Sequence, residues 1–401
     1  MAVSKSRKEL STQLFFEQLG ATAVADMLRG LVWWLHDQAK ADGIERLFFL
    51  ARDGYMIQQA YLRLVPEEQQ IPNQYLYASR RVCNVPAITR MDEAALDFLS
   101  GDRVTMPVGD YLRRVGLVPS KCAIQIQQAG FVHGSSHLVT PELFPQLKSL
   151  LLSLSDQIIA SASAERDLLV RYLETGGSWR GRRNGIVDIG WHGSMQLSLA
   201  RVLGTEPEDI TGYYLGLHAT GRLRGGGQAK AMLTEYKLLE SWLYRDTVRR
   251  CMEVFELCLA EPAGSIIRIA EPAPGQFRAV RERHTMPLAL VTHIQSMQQA
   301  ALTELERHPG RLGKRRAMAG LRRLVAWPTP SEADLLGGLL FYEGFAGVGK
   351  QAPLALPAHT MAWYRAHPME LLLDWHRSFW PRGFWTRLRH PLPSQDGSIE
   401  A

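Results

Sequence analysis

The residues best suited to chemistry lie in one short segment, residues 186–196, with the sequence IVDIGWHGSMQ. Asp188 ends a short apolar run, which predicts that it lies at the carboxyl end of a strand. His192 lies between Gly190 and Gly193. Glycines let a backbone turn sharply and bring its N–H groups close to a ligand. A helix that begins behind such a turn favours an anion at its N-terminus. The segment therefore predicts a strand, a phosphate-binding loop and a helix, with an ordinary strand-to-helix connection as the alternative.

The residues of this loop have different expected roles. His192 would stabilise a phosphate or transfer a proton, and Trp191 would pack under a sugar ring or belong to the core. The loop residues predicted to contact the phosphate or its sugar are Gly190, Trp191, Gly193, Ser194, Met195 and Gln196.

Two further apolar runs also end in polar side chains. Residues 47–51 lead to Arg52, Asp53, Gly54 and Tyr55, and residues 75–78 lead to Ser79, Arg80 and Arg81. Open α/β sheets bind ligands outside the carboxyl ends of their strands, so these strand ends are expected to share one crevice. There the three arginines would hold phosphate oxygens through bidentate hydrogen bonds. A surface salt bridge is the alternative for each arginine.

Strand-like runs that alternate with helical spacing predict an α/β fold with a mostly parallel sheet. Residues 1–90 are expected to hold an N-terminal helix and the first half of the core, and residues 91–182 a helical insertion that caps the sheet. Residues 183–270 would complete the core, including a fourth strand at 210–217 that lacks a charged exit. Residues 271–401 would form a helical C-terminal region with a basic aromatic tail.

At these residues the chain resembles a phosphoribosyltransferase-like domain of bacterial lipopolysaccharide and capsule biosynthesis, which often follows a haloacid-dehalogenase-type phosphatase domain. The motifs that carry the resemblance are RDGY at 52–55, SRR at 79–81, VDIGWHGSMQ at 187–196, and Glu256 followed by AEPAGS at 260–265. The resemblance covers roughly residues 40–270 and implies a sheet like that of type I phosphoribosyltransferases. It implies transfer of a 5-phosphoribosyl group from phosphoribosyl pyrophosphate to a glycan hydroxyl, after which a phosphatase leaves ribofuranose.

The resemblance also implies roles for single residues. A hydroxyl acceptor needs a base, for which Asp53 is the first choice and Asp188 the second, with His192 as a further catalytic candidate. Asp188 would also contact Mg²⁺ that arrives with the donor. The remaining residues expected to bind substrate are Arg52, Gly54, Tyr55, Ser79, Arg80, Arg81 and Glu256. For Asp53 the alternative is a cap of the following helix, a role that asparagine fills about equally well.

The sequence departs from phosphoribosyltransferases at two points. Asp188 is followed by Ile189 where those enzymes have a second acidic residue, and Ser194 or Met195 stands where they have threonine. The donor therefore stays open, and a sugar-nucleotide-dependent glycosyltransferase is an alternative. A non-catalytic partner of the phosphatase is another. The chain itself has no DxDxT phosphatase segment, so the phosphatase is expected to be a separate partner.

Composition places the chain among ordinary globular proteins, with 401 residues, 46% hydrophobic and 21% charged. No apolar run approaches the length of a membrane span, and the four cysteines are scattered, so a cytoplasmic protein with reduced thiols is expected. The net charge is +6, and arginines alternate with tryptophan and phenylalanine at 375–389. This tail would dock on its own domain or contact an anionic membrane that carries a lipid-linked acceptor. No nucleic acid is expected, since no binding module accompanies the charge.

One segment resembles a phosphate-binding loop but fails at its last position. Residues 344–351 read GFAGVGKQ, and Gln351 replaces the serine or threonine that would hold magnesium. Two prolines follow within six residues, so no helix is expected to begin there. The sequence predicts a flexible loop at this point and no ATPase or kinase site.

Overall fold

The computed structural model describes residues 7–100, 105–175, 179–220, 228–234, 251–282, 287–345 and 348–391, together with Arg245, Val248 and Arg249. The strands are β1 (Arg46–Leu50), β2 (Asn73–Leu76), β3 (Met106–Pro107), β4 (Leu138–Val139), β5 (Asn184–Trp191), β6 (Ile210–Leu217), β7 (Ala229–Thr234), β8 (Ile266–Ala273), β9 (Gln276–Arg281), β10 (Leu340–Phe345) and β11 (Val348–Pro353).

The helices that precede β7 in the chain are α1 (Arg7–Leu19), α2 (Ala25–Ala41), α3 (Gly54–Leu64), α4 (Arg80–Asn84), α5 (Glu93–Ser100), α6 (Val108–Arg114), α7 (Ala123–Gln128), α8 (Phe144–Ser153), α9 (Ser155–Glu174) and α10 (Ser194–Leu203). Those after it are α11 (Met252–Leu259), α12 (Leu288–Arg307), α13 (Lys314–Ala317), α14 (Ala319–Ala326), α15 (Pro330–Gly337), α16 (Met361–Ala366), α17 (Pro368–Arg377) and α18 (Pro381–Arg389). None of the helices in these ranges is long and apolar enough to span a bilayer.

Five parallel strands form the central sheet in the order β2-β1-β5-β6-β7. This confirms the expected α/β class with a parallel sheet. From β1 the chain moves outward to β2, whereas from β5 it moves the other way to β6 and β7. The strand order therefore reverses between β1 and β5, and ligands bind at such a switch point in open α/β sheets.

Both faces of the sheet are covered by helices, as all-parallel sheets require. β5 shows why the sequence of a central strand is almost continuously apolar, because its successive side chains enter two different cores. Val187 and Ile189 belong to the core that α2, α3 and α12 complete, whereas Ile186 packs with Leu199 of α10 in the second core. An acidic residue in this strand, Asp188, is therefore exceptional.

The helical cap between β2 and β5 has a hydrophobic core of its own, formed by residues between Val85 and Ala162. Besides helices, the cap contains the short antiparallel pair β3–β4. The Arg166 side chain of α9 anchors it, donating hydrogen bonds of 2.7 Å each to the carbonyl oxygens of Pro86 and Ile88.

The C-terminal region contains strands where the sequence predicted helices. β8 and β9 pair in antiparallel fashion across a turn at Gly275, whose φ of +75° suits glycine. The expectation of a flexible loop at 344–351 is wrong, since β10 and β11 pair across this segment. The aromatic residues at 341, 342 and 345 are typical of strands. The sequence interpretation relied on the spacing of the glycines instead and predicted a loop.

The basic aromatic tail packs on its own domain. Trp380 and Phe384 are buried, and the indole N–H of Trp380 donates to the carbonyl oxygen of Val325 at 3.0 Å. These aromatic side chains are therefore part of the core and do not face solvent.

Candidate functional site

Three carboxyl groups meet where the strand order reverses. Phe49 of β1 is in register with Val187 of β5, so the end of β1 is level with Asp188, and Asp53 follows on the connection to α3. Glu256 of α11 completes the cluster. The charges of Asp53 and Glu256 raise the pKa of Asp188, and the charge of Asp53 raises the pKa of Glu256. We call Asp53, Asp188 and Glu256 the carboxyl cluster.

Burial disfavours the charged forms of these three carboxyl groups. The side chain of Asp188 is only 4% exposed, and burial raises its pKa well above the ordinary value. Its Oδ1 has no hydrogen-bond partner in the part of the chain that the structure describes. Burial raises the pKa of Asp53 as well, and raises that of Glu256 to about 7, with the charge of Asp53 as the second cause. The cluster therefore favours a bound proton or another cation more strongly than exposed carboxylates do.

Two arginines offset the negative charge of the cluster. The charges of Arg52 and Arg80 lower the pKa values of Asp53 and Glu256, and Arg80 does the same for Asp188. Arg52 is held in place, since its Nη1 donates to Oγ of Ser265 at 2.7 Å. Arg80 is exposed in the first turn of α4. Both guanidinium groups are therefore close enough to act on a ligand at the cluster.

The structure does not bring Arg81 to this site. Its side chain is buried and forms a two-bond ion pair with Glu165 of α9, in which Nη2 donates to Oε1 at 2.6 Å. The predicted phosphate contact therefore loses one of its three arginines, because Arg81 joins α4 to α9 instead.

Trp191 links the end of β5 to the carboxyl cluster. Its indole N–H donates to Oε1 of Glu256 at 2.8 Å, and its backbone has a φ of +71°, which is rare for a bulky residue. β5 continues to Trp191, so Asp188 lies inside the strand and not at its carboxyl end as predicted. The preceding Gly190 has a φ of +110°, and a Cβ there would lie 2.3 Å from the carbonyl oxygen of Gly216. Only glycine fits at that position.

The loop between β5 and α10 has the predicted shape. Gly193 adopts the left-handed conformation, with a φ of +64°, directly before α10 begins at Ser194. Ser194 and Met195 are partly exposed, and Met195 packs against the second core. His192 is exposed, with its ring centroid 4.7 Å from that of His218. The start of α10 therefore presents backbone N–H groups in the way that an anion requires.

Gln196 is buried, and its side chain holds α10 against β6. Its amide donates to the carbonyl oxygen of Ile210 at 2.6 Å and accepts from the hydroxyl of Tyr214 at 3.0 Å. Both bonds join α10 to β6, so the structure does not place Gln196 among the groups available to a ligand.

The other predicted residues around β1 and β2 support the site in different ways. Asp53 precedes α3, but its side chain makes no capping hydrogen bond, so the structure does not support the helix-cap alternative. Gly54 allows close packing, since a Cβ there would lie 3.1 Å from the carbonyl oxygen of Val187. Tyr55 packs edge-on against Tyr75 at 6.0 Å between ring centroids.

Ser79 is a helix cap. Its Oγ accepts from the N–H of Val82 at 3.1 Å and donates to the carbonyl oxygen of Ile266 at 2.6 Å. These two bonds fix the start of α4, and with it the position of Arg80, against β8.

Sequence reasoning missed a polar network beside the cluster. Glu261 accepts a hydrogen bond of 2.7 Å from the hydroxyl of Tyr75 and two from Arg281, at 2.8 and 3.0 Å. The N–H of Glu261 also donates to the carbonyl oxygen of Arg52 at 3.0 Å. Glu261 and Ser265 lie in the AEPAGS segment that supported the resemblance, so the motif was the available signal. The network fixes the backbone that carries Arg52.

A metal ion at this site would take some of its ligands from a bound substrate and some from the protein. Within the described ranges, no group of three or more histidine, cysteine, aspartate or glutamate side chains is arranged to hold a metal ion. Mg²⁺ usually binds proteins through one or two carboxylates and takes its other ligands from phosphates and water. Asp188 has the chemistry of such a carboxylate, since its Oδ1 has no hydrogen-bond partner among the described residues.

No protein-family model matches the chain, and no curated protein matches it. The geometry of the carboxyl cluster therefore carries the functional argument.

Proposed function

We propose that this chain is a pentosyltransferase that moves a 5-phosphoribosyl group from phosphoribosyl pyrophosphate to a hydroxyl of a glycan acceptor, in O-antigen or other polysaccharide biosynthesis. One observation supports this most directly. Three carboxyl groups and two arginines converge at the switch point of a parallel sheet, beside a glycine loop that opens α10. A donor with a phosphate at one end and a pyrophosphate at the other matches that distribution of charge.

Each part of the site has a task in this reaction. The N-terminus of α10 binds the 5-phosphate through backbone N–H groups. Arg52 and Arg80 stabilise the charge that develops on the leaving pyrophosphate as the ribosyl group becomes oxocarbenium-like. Mg²⁺ bound with the donor would neutralise part of the same charge, with Asp188 as its protein ligand. Asp53 accepts the proton of the acceptor hydroxyl.

The proposal implies further partners. The product keeps its 5-phosphate, so a haloacid-dehalogenase-type phosphatase must act next. A lipid-linked acceptor would bring the protein to the cytoplasmic face of the inner membrane. No nucleic acid takes part.

Mass spectrometry of the acceptor tests the proposal. A lipid-linked glycan incubated with the chain, phosphoribosyl pyrophosphate and Mg²⁺ should gain one phosphoribosyl unit. The Asp188→Asn variant should add no such unit. When the phosphatase is included, the added mass should fall from that of a phosphoribosyl unit to that of a ribosyl unit. Transfer from a nucleotide sugar instead would make the chain a sugar-nucleotide-dependent glycosyltransferase. No transfer from either donor would favour a non-catalytic partner of the phosphatase.

A further inference from the structure

The helix α17 (Pro368–Arg377) exposes apolar side chains that the fold does not use. Met369, Leu372 and Leu373 have exposed fractions of 67%, 53% and 42%. Residues at this spacing share one face of a helix, so they form a continuous band, which we call the outer stripe. No residue of α17 is fully buried. The outer stripe is therefore a surface feature.

The opposite side of α17 holds the helix on the domain. Leu371 and Trp375 pack against the core that α2, α3 and α12 complete. Asp374 accepts a hydrogen bond of 2.6 Å from the hydroxyl of Tyr364, which is itself buried. The position of α17 is thus fixed without any contribution from the outer stripe.

Unpaired positive charge accompanies the outer stripe. Residues 361–391 contain five arginines and two acidic residues. Three of these arginines, Arg365, Arg377 and Arg382, are exposed and form no ion pair with any residue in the described ranges. An apolar band with uncompensated arginines nearby complements a surface that is apolar inside and anionic outside.

We propose that the outer stripe inserts into the interface of an anionic lipid bilayer, with the three arginines at the level of the headgroups. Helices that lie in a membrane interface combine an apolar face with basic residues in this way. Three apolar side chains are too few for a stable protein interface, which buries about 800 Å² on each partner. The surface belongs to elements outside the carboxyl cluster, and it rests on the proposed function in one respect, since a lipid-linked acceptor would bring the chain to a membrane.

Vesicle sedimentation with the full chain tests this surface. The protein should sediment with vesicles of phosphatidylcholine and phosphatidylglycerol in equal parts, and much less with phosphatidylcholine alone. The triple variant Met369→Ser, Leu372→Ser, Leu373→Ser should bind the mixed vesicles roughly tenfold or more weakly, because each buried CH₂ group contributes about 0.8 kcal/mol. Replacing Arg365, Arg377 and Arg382 with glutamine should weaken binding and reduce its salt dependence.

A matched control lies on the cap, where Ile124 and Val132 are 69% and 79% exposed. The double variant Ile124→Ser, Val132→Ser should bind the vesicles like the wild type. Failure of the wild type to sediment, wild-type binding by the triple variant, or an equal loss in the control would each overturn the proposal. So would a dimer in solution that only the triple variant abolishes, because a second copy would then occupy the outer stripe. No donor or acceptor is present, so the outcome is independent of the transferase test.

Discussion

The indole N–H of Trp191 donates a 2.8 Å hydrogen bond to Oε1 of Glu256 and thereby joins the end of β5 to α11. Trp191 reaches Glu256 from a left-handed backbone conformation that costs on the order of 1–3 kcal/mol in a residue other than glycine. The same strand carries Asp188, so this bond connects β5 and α11, which contribute two of the three residues of the carboxyl cluster.

Removing that N–H should change the acidity of the cluster. The hydrogen bond from Trp191 lowers the pKa of Glu256, so in Trp191→Phe that pKa should rise. The acidic limb of the pH profile of kcat should then move to higher pH. The control is Trp380→Phe, since Trp380 is also buried and also donates from its indole, to the carbonyl oxygen of Val325. An identical shift in both variants would mean that general loosening of the fold is the cause.

The partly buried carboxylate of Glu256 should make the protein less stable at high pH. Its pKa in the folded chain is about 7, against an ordinary value of 4.5. The folded state therefore binds the proton more tightly, and this contribution to stability is complete below about pH 4.5 and disappears as the pH rises through 7. Between pH 5 and pH 8 the free energy of unfolding of Glu256→Gln should fall by at least about 1 kcal/mol less than that of the wild type. Urea unfolding at the two pH values measures this, and equal falls would contradict the raised pKa.

Asp53 and Asp188 should differ in what they contribute. Asp53→Asn should lower turnover by roughly a hundredfold or more, the scale of general base catalysis, with donor affinity nearly intact. Asp188→Asn should weaken donor affinity as well, because Asp188 would contact the Mg²⁺ of the donor. Calorimetric titration with phosphoribosyl pyrophosphate and steady-state rates separate the two effects. Near-normal turnover in Asp53→Asn would move the base to Asp188 or His192.

Arg81 should matter for stability and the other two arginines for activity. Arg52→Lys and Arg80→Lys keep the charge but lose the planar guanidinium, so both should slow turnover with little change in Tm. Arg81→Gln should lower the free energy of unfolding by on the order of 3 kcal/mol, because it leaves Glu165 without its partner. Thermal melts and rates of the three variants decide this. A loss of donor affinity in Arg81→Gln at unchanged stability would return Arg81 to the pyrophosphate.

The two ends of α10 offer a matched test of the phosphate loop. Gly193 precedes the helix with a φ of +64°, and Gly204 follows it with a φ of +67°. Valine should be strained at either position, but only Gly193→Val should abolish donor binding, because only that end presents N–H groups. Calorimetry with the donor checks both variants. Normal affinity in Gly193→Val would exclude the loop, and equal losses in both would indicate a general effect of strain.

Local sequence signals predicted the strands of the core well. The apolar runs before Arg52, Ser79 and Trp191 and the strand at 210–217 all exist, because a buried parallel strand must be apolar on both faces. Sheet order and register depend on contacts between distant segments and have no local signature. Those contacts decide that Asp188 lies beside the end of β1.

The same reason explains the errors at single residues. Arg81 follows a strand just as Arg80 does, and only the position of Glu165, 84 residues away, separates a structural arginine from an available one. Gln196 belongs to the motif but is bonded to β6. In contrast, Gly190 and Gly193 were recognisable from their type alone, since positive φ angles at a tight turn favour glycine.

The separate core of the cap has an evolutionary consequence. Its residues, from Val85 to Ala162, belong to neither of the two cores that enclose the central sheet. A change of side-chain volume at Leu147 or Leu150 should therefore be absorbed within the cap and leave the spacing of β1 and β5 intact. Such an arrangement makes the chain modular, because the cap can vary in sequence while the sheet and the carboxyl cluster stay unaltered.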